Sequence, residues 1–365
     1  MNNKIVVNSV SLEALCQKQG QPFYRLSEGD FNKTRILKTL IDEQVLAFRM
    51  AEMYCGRLSD VVVFGKSYVA DLKGSAVFLN QSHRNYFHQE FADYYQKEIL
   101  EETRPRVHVE QECCFLGGYS GDVKFFGHFI FEFLYRLVAF DMCGLLANLP
   151  VFVHEGIPDA WLSFIELYGV PKERILKVPH TPASFYRNVW MAPCANLVLE
   201  SKAYAFWDDG IHGMRKRLIA NAVKDGAQGP KRVYLGRRNV AHRHVLNDSA
   251  VWEYLQNFGF EYPEFPGLSA AEQIQMIHSA EVIVAVGGSA SVITHFAPAN
   301  CIIMDVQPTF VAGGLGSLGF SVVIGQTYMR LPGIIPPENT KPDVNSDFSV
   351  DMRVLRHFVE KVCAK

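Results

Sequence analysis

The chain has 365 residues, 48% hydrophobic and 20% charged. That composition excludes a disordered or fibrous protein, and the length exceeds what one hydrophobic core usually serves, so two α/β domains of roughly 150 to 200 residues each are expected. Lysine plus arginine number 36 against 38 aspartate plus glutamate, a net charge of -2, which provides no broad positive field for a nucleic-acid backbone.

The N-terminus MNNKIVVNSVSLEALCQKQG lacks the long apolar run of a signal peptide, and no stretch of about 18 apolar residues follows. A cytoplasmic protein is expected, with room for peripheral contact at the inner face of a membrane. The eight cysteines are scattered without a CxxC pair, which favours reduced, mostly buried thiols. Only His242-Arg243-His244 offers closely spaced metal ligands, and it lacks nearby thiolates or carboxylates; a solvated polar loop is the better reading, and no metal site is expected.

In chain order, KTRILKTLIDEQVLAFRMAEMY (33–54) repeats its apolar positions at three and four and predicts a helix. DVVVFG (60–65) and SAVFLN (75–80) read as strands bounded by turn signals. HQEFADYYQKEILEE (88–102) has helical spacing, and RVHVEQECCFLGG (106–118) reads as a strand ending in a glycine turn. GHFIFEFLYRLVAFDMCGLL (127–146) is a strongly apolar helix, LPVFVHEG (149–156) a buried strand, 159–168 a helix, ERILKVP (173–179) a short strand and SFYRNVWMAP (184–193) extended. Alternation of strand and helix marks a parallel sheet.

A domain boundary is expected near 195–205, followed by a helix over about 203–225. The second half then alternates cleanly: strand 232–237, helix 249–258, strand FEYPEF (260–265), helix 269–280, strand 281–286, helix 290–297 and strand 301–306. That series is Rossmann-like. The division is 1–200, 201–345 and a final helix within 346–365 that crosses back to the first domain.

Three features carry chemistry. EVIVAV followed by Gly287, Gly288, Ser289, Ala290 and Ser291 brings free N–H groups and a positive helix end to one point, where a phosphate could sit. Glycine is also favoured in any strand-to-helix turn, and the run lacks the third glycine of GxGxxG and the acidic partner of a dinucleotide fold. In VYLGRRNVAHRHVLND, Arg237 and Arg238 follow a strand directly, at the carboxyl edge where open α/β sheets bind ligands. They suit a diphosphate, though a basic loop has the same composition. Gly127-His128 opens an apolar helix with Glu132 four residues on and on the same face. A carboxylate there orients an imidazole as a general base; the alternative is a structural histidine.

FGHFIFEFLYRLVAFD, YLGRRNVAHRHVLND and FPGLSAAEQIQMIHSAEVIVAVGGSASVITHFAPANCIIMDV together resemble, in order and spacing, the signature blocks of glycosyltransferase family 61. The resemblance spans about residues 107 to 310. It implies a GT-B fold of two facing Rossmann-like domains with a central cleft, the first on the acceptor side and the second binding a nucleotide sugar. It also implies inversion at the anomeric carbon, with members that transfer xylose, arabinose or N-acetylglucosamine and bacterial relatives in capsule or lipopolysaccharide synthesis. Carried over by position, His128 is the base candidate, Arg237 and Arg238 are diphosphate ligands, and Gly287, Gly288, Ser289 and Ser291 form the donor-phosphate turn; Glu132 joins His128 as its catalytic partner by helical spacing, and Asn239 joins the donor-binding residues. Glu272-Gln273 matches the family's "EQ", near the nucleotide or in packing.

Three blocks depart from the pattern. The family's "PHGAGLTN" reads AVGGSASVITH, so its histidine is Gly287 here and its asparagine falls near His295; "PRL" reads Tyr135-Arg136-Leu137 and "SRR" reads Gly236-Arg237-Arg238. The expected partners are a nucleotide-sugar donor and a glycan or lipid-linked oligosaccharide acceptor, with a homodimer left open. No DxD closes a strand, so no cofactor or metal is required. The alternatives are a nucleotide-sugar epimerase, acting on donor alone, and a non-catalytic glycan-binding protein of the same fold.

Overall fold

The computed structural model of the chain describes residues 8–27, 35–37, 46–50, 53–64, 68–71, 75–78, 107–117, 125–179, 183–194, 196–198, 204–224, 227–238, 240–308, 315–343 and 345–363. Its contacts divide into two compact units, Met1–Thr34 with Ala47–Met214 and Arg35–Leu46 with Arg215–Lys365. Both are mixed α/β with parallel strands, the class expected.

The first unit is built on a sheet whose halves differ. Cys113–Leu116, Val151–His154 and Ile175–Val178 lie side by side in parallel, and Ala183–Met191 joins Cys113–Leu116 from the other side, also parallel. On that flank the pairing turns antiparallel through Met53–Phe64, Tyr68–Asp71 and Ser75–Phe78, so only half of the sheet follows the Rossmann pattern. Val61, Val62 and Val63 are all buried, as a strand covered on both faces requires, which explains their unbroken apolar run. The core gathers Leu58, Val61, Phe115, Phe152, Tyr186 and Val189.

The helix predicted over 33–54 does not form. Arg35–Leu37, Leu46–Met50 and the start of Met53–Phe64 are strands, and Phe48 pairs in parallel with Tyr204. Local periodicity cannot register a hydrogen-bonding partner so far along the chain, and short apolar runs fit both periods. The strand expected over 106–118 is two, Val107–Val109 and Cys113–Leu116, parted at Glu110-Gln111-Glu112. The helix expected over 88–102 lies outside the described residues. The helix predicted at 159–168 forms as Asp159–Tyr168, ended by Gly169 at φ 115, a left-handed conformation that glycine adopts without strain.

In the second unit Arg232–Leu235, Val282–Val286, Ile302–Pro308 and Thr327–Ile334 pair in that order, all parallel, and Ser349–Val350 closes the edge antiparallel. Beyond Arg232–Leu235, Glu261 forms a single bridge to Val233. That bridge is what remains of the strand expected at 260–265, where Pro263 has no N–H to extend a ladder. The spatial order is therefore 2-1-3-4-5, and it reverses between Arg232–Leu235 and Val282–Val286. In open α/β sheets ligands bind at the carboxyl ends of the strands flanking such a reversal. Helix Leu315–Ile324 and strand Thr327–Ile334 were not expected, because the first is punctuated by Gly316 and Gly319 and the second carries Pro332. The last helix, Met352–Cys363, buries Leu355 and Val359 in this unit's core with Val284, Met304 and Leu331.

Candidate active site

In the first unit the apolar helix starts at Phe126–His128, winds wider over Phe129–Leu134 and resumes over Arg136–Met142. Such wide turns are rare inside helices and concentrate at functional sites. Phe129, Ile130, Phe133 and Leu134 anchor it by burial, leaving His128 at its open end with a side chain 45% exposed. His128 Nδ1 is hydrogen-bonded to Glu132 Oε1, whose side chain is only 10% exposed. A carboxylate on Nδ1 favours the tautomer protonated there, with the basic lone pair on Nε2. The Phe125 ring meets the imidazole edge-on at 5.9 Å. The spacing in the sequence has thus produced an oriented histidine.

In the second unit, Leu235 and Ala285 are paired in the sheet, so residues 236–238 and 287–289 leave adjacent strands at the order reversal. There Arg237 folds over the glycine turn. Its Nε donates to Arg243 O at 3.0 Å, Nη2 to His242 O at 2.9 Å and Nη1 to Gly287 O at 3.5 Å. Arg243 Nη1 donates to the same Gly287 O at 3.1 Å. Two guanidiniums therefore converge on one carbonyl, and all three bonds of Arg237 go to neutral oxygens. Burial and the charge of Arg243 hold Arg237 down to about 10, which still leaves it cationic at neutral pH. Arg243 is likewise lowered by burial, with Asp305 opposing. Two like charges gathered at one turn, with the hydrogen bonds of Arg237 all to neutral oxygens, make a site that an anion stabilises.

The two glycines serve packing. Gly288 has extended backbone, φ 168, yet a Cβ there would lie 1.8 Å from Arg237 Nη1. Gly288→Ala is expected to keep the fold, displace the Arg237 guanidinium and weaken nucleoside-diphosphate binding about tenfold, or about 1.4 kcal/mol; calorimetric titration of the variant measures it. Beyond the turn, Ser291 donates from its hydroxyl to Gly288 O at 2.7 Å and Ser289 opens the helix. That helix, expected to be α over 290–297, is the tighter 3-10 form over Ser289–Phe296.

Other expected donor residues are placed differently. Arg238 turns away from the glycines: Nε donates to Asp248 Oδ2 at 2.7 Å, and its guanidinium lies over the Tyr262 ring at 4.3 Å. Asp248 also accepts from Tyr234 Oη at 2.6 Å, so the structure does not join Arg237 and Arg238 in one clamp. The physical reason is alternation, since successive residues leaving a strand point to opposite sides. Glu272 caps its own helix, accepting from Ser269 N at 2.8 Å and Ser269 Oγ at 2.7 Å, and Gln273 Nε2 donates to Leu268 O at 2.9 Å. The "EQ" pair is engaged in capping and packing. Asn239 lies outside the described residues. His295 is buried and stacked on Phe320 at 4.5 Å, and burial lowers it to about 3.

Two residues missed from sequence complete the turn. Arg243, read as part of a solvated loop, reaches Gly287 from a left-handed backbone, φ 60, a strained conformation for a residue with a Cβ. Gln307 packs against Gly287 from the neighbouring strand: a Cβ on Gly287 would meet its Cγ at 2.4 Å. For Arg243 the available signal was its place in the basic loop that follows the strand; for Gln307 there was none.

Residues 126–304 match the family described as Glycosyltransferase 61. Over that span, just under half of its length, the chain is similar to glycosyltransferase family 61. The family implies a glycosyltransferase and, in general terms, a sugar donor and a glycan acceptor. No curated protein matches the chain. The span of glycosyltransferase family 61 covers His128, Glu132, Arg237, Arg243, Gly287 and Gly288 and ends just before Asp305. Among the described residues, no helix is long and apolar enough to cross a membrane, and no group of three His, Cys, Asp or Glu side chains could hold a metal ion.

Proposed function

We propose that this chain is an inverting glycosyltransferase that moves a sugar from a nucleotide-sugar donor to a hydroxyl of a glycan or lipid-linked acceptor in surface polysaccharide synthesis. The observation that carries the reading is the convergence of Arg237 and Arg243 on the Gly287-Gly288 turn at the sheet's order reversal. A diphosphate placed there meets two guanidiniums and the start of a helix, groups that favour negative charge.

His128 Nε2 takes the proton of the acceptor hydroxyl, whose oxygen bonds to the anomeric carbon from the face opposite the phosphate. The bond between that carbon and the phosphate oxygen breaks, and the nucleoside diphosphate leaves with the electron pair. One in-line displacement inverts the sugar. Arg237 and Arg243 offset the leaving charge, so the reading needs no divalent cation.

Thermal-shift screening against nucleoside diphosphates and nucleotide sugars, followed by transfer assays in excess EDTA, tests this. One nucleotide class is expected to raise Tm, by mass action on the folded state, and the matching sugar to be transferred with EDTA present. A panel that shifts nothing, or activity abolished by EDTA and restored by a divalent cation, would overturn the corresponding part.

A further inference from the structure

Gln307 and Asp305 lie on the strand beside the glycine turn, and the chemistry proposed above uses neither. Gly287 N donates to Val306 O at 2.9 Å, which sets the turn next to Gln307, and a side chain at Gly287 would run into Gln307 Cγ. The amide of Gln307 is held in turn. Its Nε2 donates to Asp305 Oδ2, which also accepts from Tyr328 Oη. Asp305 is 2% exposed, and its Oδ1 has no hydrogen-bond partner among the described residues. A carboxylate sunk into a sheet centre with one oxygen unsatisfied is costly and calls for a reason.

We infer that Asp305 and Gln307 are positioning residues that brace the glycine turn against the arginines, and that a diphosphate binding at the turn draws a proton onto Asp305. This rests on the reading of the turn as the donor-phosphate site. Several groups face Asp305. Tyr328 and Arg330 come from the strand on one side, Arg243 from the arginine loop and Gln307 from its own strand; the residue paired with it on the other side, Ala285, does not titrate. Burial raises Asp305 to about 6, against the pull of Tyr328, Gln307, Arg330 and Arg243. Arg243 thus serves both Asp305 and the turn. A diphosphate arriving at Arg237 and Arg243 competes for that charge and adds negative charge nearby, and both effects favour the neutral carboxyl.

The sign follows from linkage. Binding that takes up a proton strengthens as pH falls from above the free carboxyl's value and levels off below it, so the window is roughly pH 7.5 to 5.5. Calorimetric titration of the full chain with UDP, GDP and inorganic pyrophosphate at pH 7.5, 6.5 and 5.5 reads this out, in wild type, Asp305→Asn and Gln307→Ala. Ionisation of the probe is common to all three proteins and cancels in ratios. The ratio of wild-type to Asp305→Asn Kd is expected to fall about fivefold between pH 7.5 and 5.5, because asparagine mimics the protonated state. Gln307→Ala should weaken binding about tenfold throughout.

Should Asp305→Asn fail to fold, Tyr328→Phe, which removes a bond favouring the charged form, is expected to move the wild-type transition to higher pH. A Kd ratio constant across pH, an unmoved transition in Tyr328→Phe or full affinity in Gln307→Ala overturns the inference while leaving the donor site standing. Absence of binding to wild type by every probe overturns both.

Discussion

His128→Ala is expected to lower the rate of sugar transfer about 10² to 10⁴-fold, the range typical of a lost general base, while the nucleotide that stabilises the wild type raises the variant's Tm as much. His128 is half-exposed at the mouth of a helix that buried Phe129, Ile130, Phe133 and Leu134 hold in place, so truncation opens no core cavity and folding should survive. Its partner provides a graded control. Glu132 is buried and binds Nδ1; Glu132→Gln keeps a hydrogen bond but removes the charge that stabilises the imidazolium, and should lose less rate than His128→Ala. A structural histidine would show the opposite pattern, with lowered Tm and an unchanged rate in the folded fraction.

Arg237→Ala is expected to raise the Kd for the recognised nucleoside diphosphate about 100-fold, or about 2.7 kcal/mol, by removing one of two charge-assisted contacts and the group that pins the arginine loop. Three carbonyl oxygens accept from Arg237, so some stability is lost as well. Arg237→Lys separates the effects, because a lysine keeps the charge but not the planar fork, and a loss of about tenfold is expected. Arg238→Ala is the contrasting variant. With its guanidinium on Asp248 and Tyr262, it should alter Tm and leave Kd nearly unchanged, although the two arginines are adjacent in sequence. Equal losses of affinity at both positions would contradict the geometry.

What the sequence made legible follows from how local each feature is. The His128–Glu132 contact depends on one turn of helix, and the spacing alone was enough to bring the side chains together, although the wide turn at Phe129–Leu134 leaves no mark in composition. The order reversal beside Gly287 could be anticipated only in outline, from the alternation of strands and helices, because strand order is decided by pairing between distant segments. The same dependence undid the helix over 33–54, whose described parts are strands. Arg237 and Arg238 read identically until the backbone sends them apart. Arg243 reaches the turn only through a left-handed residue in a loop, and Gln307 only because two strands pair with Gly287 opposite it, so neither contact has a local signature.

The most direct measurement is a crystal structure of the chain soaked with the nucleoside diphosphate that raises its Tm. Diphosphate density against Gly287 and Gly288, within hydrogen-bonding distance of both Arg237 and Arg243, is the result predicted here. A diphosphate held elsewhere, with that turn empty, would contradict the assignment.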